Sequence, residues 1–207
     1  MKPKEILIAT TNLGKVREIE PMLKELGVLE IKTLKDFSPI PPPEEKGSTF
    51  LENALEKASY YAKHFNILTL ADDSGLEVEA LSGAPGIHSS RFAGDKSTDE
   101  ENIKKLLKLL EGVPFEKRKA RFVCVIVVYH PSGKWISGEG EWQGYIAEEP
   151  RGTQGFGYDP VFLVPEYNLE RTAGELSKEE KNRISHRAKA IRAIIPKLKE
   201  FLEKIED

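Results

Sequence analysis

One cysteine, Cys124, stands in 207 residues, so a disulfide framework and a cysteine-based zinc site are both excluded. Neither sign of charge prevails: 31 lysines and arginines meet 34 aspartates and glutamates, for a formal net charge of −3. That balance offers no global field to a nucleic-acid backbone or an anionic membrane surface. Nor does any apolar run approach the roughly 18 residues that a membrane-spanning helix needs. Met1 to Glu5 lead straight into the first apolar run without the pattern of a secretory signal. A cytoplasmic protein with no membrane or nucleic-acid partner is expected. Repeats, low-complexity tracts and linkers are also missing, so residues 1–207 are read as one domain with a substantial core.

What is present alternates. ILIAT (Ile6 to Thr10) is a short buried strand, and the segment after it has Val16, Ile19, Leu23 and Leu26 at helical spacing before Gly27. IKTL reads as the next strand, and the proline run at 41–43 opens a polar loop, EEKGS. A helix follows from about Thr49 to Phe65, and ILTLA is a strand expected to end at Asp72 and Asp73. Thr98 to Glu101 is a capping box before a third helix that stops at Gly112 and Pro114. RFVCVIVVY and the segment through Trp135, Gly140 and Ile146 form a long hairpin about HPSG. A second capping box, Ser177 to Glu180, opens the final helix, whose stripe is Ile184, Ala188, Ile191, Ile195, Leu198 and Leu202. The pattern predicts an α/β fold: a mixed sheet with flanking helices, in an elongated, bilobed single domain with a central cleft.

Five stretches carry chemistry. Thr10, Thr11, Asn12, Leu13, Gly14 and Lys15 join a strand to a helix N-terminus, where free N–H groups and the helix dipole favour anions. The same residue types are also ordinary helix caps. Glu44, Glu45, Asp72 and Asp73 are two acidic pairs of the kind that hold Mg2+ through carboxylate oxygens, or simply four solvated acids. GTQGFGYDP (Gly152 to Pro160) has glycines that let a backbone approach a ligand and, in Phe156 or Tyr158, a ring to stack on a base. Its bland counterpart is a glycine-rich bend with buried aromatics. Lys181, His186 and Arg187 are either a solvated basic face or hydrogen-bond donors to a nucleotide.

Taken in order, TTNLGK, EEKGSTFLENA, ADDSGLEVEALSGAPGIHSSRFAG, GFGYDP and SHR resemble the inosine triphosphate pyrophosphatases from about Ile6 to Ile195. One departure is Thr11, where that family often has glycine. The resemblance implies hydrolysis of ITP, dITP and XTP to the monophosphate and pyrophosphate, removing non-standard purines from the nucleotide pool. It implies Asp73 as general base and metal ligand, Glu44 as the second Mg2+ ligand with Glu45 able to exchange roles, and Thr10 to Lys15 around the triphosphate. Lys15 and Lys181 supply positive charge to the triphosphate, Ser74 becomes a substrate contact, and Lys57 is a further candidate for the phosphates. Phe156 is the stacking ring, Gly157, Tyr158 and Asp159 shape the pocket, and His186 and Arg187 donate to the 6-oxo group. A homodimer is implied as well.

Two other classes compete. A Maf-like pyrophosphatase for modified pyrimidines or 7-methyl-GTP shares the architecture, but the paired GFGYDP and SHR motifs argue against it. An RNA-binding module would use the basic segment from Lys181 to Lys199, and the balanced charge weakens that reading.

Overall fold

The computed structural model describes residues 4–27 and 29–205. Its strands are β1 (Lys4–Ile8), β2 (Leu29–Thr33), β3 (Leu68–Val78), β4 (Lys119–Tyr129), β5 (Trp135–Ile146) and β6 (Phe162–Leu163). Its α-helices are α1 (Leu13–Lys24), α2 (Phe50–Phe65), α3 (Asp99–Leu109), α4 (Lys178–Ile184) and α5 (His186–Lys204). The strands pair in the order β2-β1-β3-β4-β5-β6. β1 runs parallel to both neighbours, with Ile6 opposite Ile31 and Leu68, whereas β5 and β6 are antiparallel. The sheet is therefore mixed, as the alternating pattern predicts. Parallel neighbours need long crossovers, and the segments containing α1 and α2 supply them.

The chain divides into two compact units. The first holds the residues up to Asp73, Cys124–Gly140 and the segment from Arg187 onward; the second holds Ser74–Val123 and Glu141–His186. Two of the junctions, Asp73–Ser74 and His186–Arg187, fall inside motifs singled out in the sequence.

In the first unit, Ile6, Ile8, Leu70, Ile126 and Val128 pack with Ile19 and Leu23 of α1 and with Ala190, Ile191, Ile194 and Leu198 of α5. Helix α1 contains Pro21, and an interior proline costs a helix about 3 kcal/mol or more. Fully burying a Leu or Ile returns roughly 1.5–3 kcal/mol, so the buried Ile19 and Leu23 offset it. Between β5 and α5 there is no room for a side chain: a Cβ on Gly138 would lie 2.9 Å from Ile194 Cβ.

Two sequence expectations are corrected here. β3 does not end at the acidic pair but continues through it for eleven residues, Leu68–Val78, with Asp72 and Asp73 both buried. Polar residues read as a strand end only until buried partners are known for them. The last helix is likewise two helices. The Ser177 box caps α4, which stops at Ser185 in extended backbone, and α5 starts at His186. The stripe accordingly shifts: Ala190, Ile191, Ile194 and Leu198 are fully buried in the first unit, while Ile184 packs in the second unit's core.

The second unit packs Leu76, Val78, Leu106, Leu110, Phe122, Trp142, Phe162 and Val164. Beside this core lies Arg118, only 4% exposed. Its guanidinium donates to the carbonyls of Ile146 (2.9 Å), Leu110 (2.8 Å) and Ala147 (3.0 Å), tying α3 to the end of β5. A buried carbonyl left without a donor costs about 1–3 kcal/mol. Arg118→Met should thus destabilise the protein by about 3 kcal/mol or more. At this chain length that is a fall in Tm of roughly 6–12 °C, read by calorimetry. A melting temperature at the wild-type value would show that these carbonyls find other partners.

Candidate functional site

Asn12 organises the loop between β1 and α1. Its Oδ1 accepts from the N–H groups of Gly14 (3.0 Å) and Lys15 (3.3 Å), and Asn12 N in turn donates to Thr10 Oγ1 (3.1 Å). Two of the helix N–H groups that sequence reading left open to an anion are thus held by the cap. Thr11, Asn12 and Leu13 are exposed, Thr10 and Gly14 partly so. Lys15 leaves the loop towards β3, where its Nζ lies 3.2 Å from Asp72 Oδ2.

Successive residues of a strand point to opposite faces, and the two acids meet different surroundings. Asp72, 2% exposed, lies against cations: besides Lys15, Arg187 Nε is 3.5 Å from its Oδ2. Burial would push the Asp72 carboxyl up, but Lys15, Arg187 and Lys57 outweigh it and hold the group well below the usual carboxylate range. Cys124 Sγ contacts the same oxygen at 3.8 Å, and burial pushes that thiol upward. Asp73, 6% exposed, accepts at Oδ2 from Asn53 Nδ2 (3.1 Å). Burial pushes its carboxyl up to about 6, with Lys57 opposing and the charge of Glu45 adding to the rise. One acid is locked in its ionised form, and its neighbour is poised near neutrality.

The acidic loop reaches these residues through α2. Lys57 Nζ donates to the backbone oxygen of Asp72 (3.0 Å) and lies 3.3 Å from Glu45 Oε1. Glu44 instead pairs with Lys46 (2.7 Å), its side chain 77% exposed. Of the two candidates, Glu45 is the one whose charge reaches Asp73. Among the described residues, no group of three or more His, Cys, Asp or Glu side chains is arranged to hold a metal.

The second unit holds the remaining candidates apart from Arg187. Asp159, 2% exposed, accepts at Oδ2 from Phe156 N (3.0 Å) and from Lys181 Nζ (2.6 Å). Lys181 Nζ also sits 4.6 Å from the centre of the Phe156 ring. Gly155, at φ +74°, gives Asp159 its space, since a Cβ there would come 2.1 Å from Oδ2. Gly157 N donates to Asp99 Oδ2 (2.9 Å), and Tyr158 Oη donates to Ser89 O (2.6 Å). Tyr158 is therefore a buried support of the loop, whereas Phe156 is partly open. A cavity of about 630 Å³ lies between this loop and α3, lined in part by Thr153, Phe156, Ile103 and Leu107. Ser74 is partly buried.

Lys181, His186 and Arg187 do not form a solvated face; all three are buried. His186 stacks on Phe122 with centroids 4.7 Å apart and 15° between planes. Arg187 belongs to the first unit, where its Nη1 donates to Glu18 Oε2 (2.6 Å). Sequence reasoning missed Glu18, Asn53 and the division of labour between Asp72 and Asp73. The available signal was positional: Glu18 and Asn53 each adjoin a fully buried residue, Ile19 and Ala54, on its helix.

Known proteins resemble this chain over most of its length. The Ham1 family model matches residues 6–197. A dITP/XTP pyrophosphatase of Bacillus licheniformis is 50% identical over 92% of this chain and 96% of its own length. One from Geobacillus kaustophilus is 52% identical over 91% of each. Among solved structures, a HAM1 protein from Coxiella burnetii superposes with a TM-score of 0.85 at 44% identity, covering 95% of this chain and 99% of its own. A nucleoside-triphosphatase, dITP/XTP pyrophosphatase, from Mycobacterium abscessus gives 0.75 at 42% identity over 94% and 99%. With matches of this extent in sequence and structure, the chain belongs to the Ham1 family.

Proposed function

We propose that this protein hydrolyses non-standard purine nucleoside triphosphates, dITP, ITP and XTP, to the monophosphate and pyrophosphate. Relatives sharing about half of its residues bear the name dITP/XTP pyrophosphatase. The observation that carries the chemistry is the pair of unlike acids on β3. Asp73, poised at about 6 by burial, suits a general base that orients a water and takes its proton near neutral pH. Asp72 keeps its charge and anchors Lys15, whose ammonium is the cation for the triphosphate. Thr10 to Gly14 border the phosphates, and Lys57 adds a second positive charge beside Asp73.

Glu45 and Asp73 fit Mg2+ in donor chemistry: two hard carboxylates, the charge of the first raising the second, suit a divalent cation that takes waters and substrate phosphates as its other ligands. Glu44 is the alternative ligand. Bound Mg2+ would neutralise phosphate charge, while the chain's own residues position the water and accept its proton. For the base, Phe156 stacks, Lys181 and Ser74 contact substrate, Gly157, Tyr158 and Asp159 hold the loop, and His186 with Arg187 supplies donors to the 6-oxo group. An adenine presents a donor at that position, so ATP meets donor against donor. Mg2+ dependence, a homodimer and a cytoplasmic setting belong to the same reading.

Pyrophosphate release from ITP, XTP and ATP, with and without Mg2+, is the direct test. Asp73→Asn should abolish most turnover while nucleotide still binds; kcat near wild type would remove Asp73 as base. The same variant should be more stable. Because the folded Asp73 titrates above its unfolded value, its contribution to stability is present below about pH 4 and lost as pH rises through about 6. At pH 8 the metal-free wild type carries a cost on the order of 3 kcal/mol that the amide lacks. Calorimetry should give Asp73→Asn the higher Tm at pH 8 and no advantage at pH 4; equal Tm at pH 8 would contradict the environment assigned to Asp73.

Selectivity has its own test. His186→Phe keeps a ring on Phe122 but removes the donors, so kcat/KM for ITP and XTP should fall about tenfold or more. ATP turnover should change far less, narrowing the ratio. Equal loss for all three substrates would assign base reading to other groups.

A further inference from the structure

Asn53 stands where an apolar residue would be expected. It lies in the first turns of α2, next to the fully buried Ala54, and is itself 1% exposed. A buried amide is tolerated only when both of its ends are satisfied. Here they are. Oδ1 accepts from Gly47 N (2.8 Å), and Nδ2 donates to Asp73 Oδ2 (3.1 Å). The two partners are of opposite kind, a backbone donor and a carboxylate acceptor. An aspartate at 53 would set a second carboxylate against Asp73, and a leucine would leave both groups unpaired. The loop passes so close that a Cβ on Gly47 would come 2.6 Å from Asn53 Oδ1 and 2.7 Å from Glu52 Cβ.

Lys57 follows one turn later on the same face of the helix. It too spans the loop and the strand, reaching Glu45 Oε1 (3.3 Å) and Asp72 O (3.0 Å). α2 is therefore a two-rung ladder between the acidic loop and β3. One rung is charged and joins Glu45 to the backbone of Asp72. The other is neutral and joins Gly47 to the carboxylate of Asp73.

We propose that Asn53 is a positioning residue for hydrolysis: it ties down one oxygen of Asp73, leaves the other for water and metal, and fixes the Glu45 loop to the same point. The inference deepens the pyrophosphatase reading and rests on it. Water, base and metal ligand must be aligned to a few tenths of an ångström in such chemistry, and loss of that alignment is felt in kcat more than in binding.

The test compares wild type with Asn53→Ala and, from the opposite side of the contact, Gly47→Ala. Gly47→Ala leaves the Asn53 amide in place but pushes the loop off it, so it serves if Asn53→Ala fails to fold. Folding is checked by thermal denaturation. Expected for each folded variant is a fall in kcat for ITP of about ten- to a hundredfold, as for loss of a hydrogen bond to a charged group, with KM little changed. Mn2+ binding without nucleotide, followed by the electron paramagnetic resonance of the free ion, should weaken as well. A folded variant with wild-type kcat or wild-type Mn2+ affinity overturns the proposal, as does a loss confined to KM. A wild-type protein that leaves ITP and XTP intact would overturn the functional reading instead, and the Mn2+ titration would then still report on Asn53.

Discussion

Burying a carboxylate is among the most expensive acts in folding unless cations and donors meet it, and this protein buries two in succession on one strand. Asp72 is answered by full charges from three elements: Lys15 at the start of α1, Lys57 on α2 and Arg187 at the start of α5. Asp73 is answered by one neutral amide and the more distant charge of Lys57. Much of the first unit's geometry follows from that difference. Lys15 cannot reach Asp72 unless α1 begins where the Asn12 cap starts it. Arg187 cannot be buried without Glu18, which α1 carries one turn further on. Removing a single partner would leave an uncompensated buried charge, so these residues stand or fall together.

A stable enzyme would not choose such a strand for its own sake. Asp72 with its cations is neutral enough to be buried, but Asp73 is held in a state that favours protonation, at a cost to folding that is fully present above about pH 6. Strain of this kind is expected where a group must exchange protons. α2 then has two functions in one amphipathic helix. Ala54, Ala58, Tyr61 and Ala62 bury its apolar stripe, while Asn53 and Lys57 join the proline-led acidic loop to the acids of β3.

Much of this was legible in the sequence, and the reason differs by element. Strands and helices with clean periodicity, such as β4 and α2, and the caps Thr98 and Ser177 follow from local chemistry. The motif order likewise implied the family and the activity class. What stayed hidden depends on tertiary partners. No local rule tells that β3 runs on through Asp72 and Asp73, because Lys15, Lys57, Arg187 and Asn53, all distant in sequence, make their burial tolerable. The break at Ser185 was masked by an apolar spacing that runs from Ile184 into α5 without a proline or glycine to interrupt it. His186 and Arg187 look solvated in a basic segment, yet one finds Phe122 and the other Glu18, far away in the chain.

The neighbouring acids of β3 differ in protonation because their surroundings differ. Carboxyl carbon chemical shifts of the metal-free protein, labelled at aspartate and followed from pH 3 to pH 8, measure it directly. One buried aspartate should titrate at about 6 and be identified by its disappearance in Asp73→Asn. The Asp72 signal should stay that of a carboxylate down to the pH at which the protein unfolds. Two aspartates titrating together in the ordinary range, or Asp72 as the one that takes up a proton near neutrality, would contradict it.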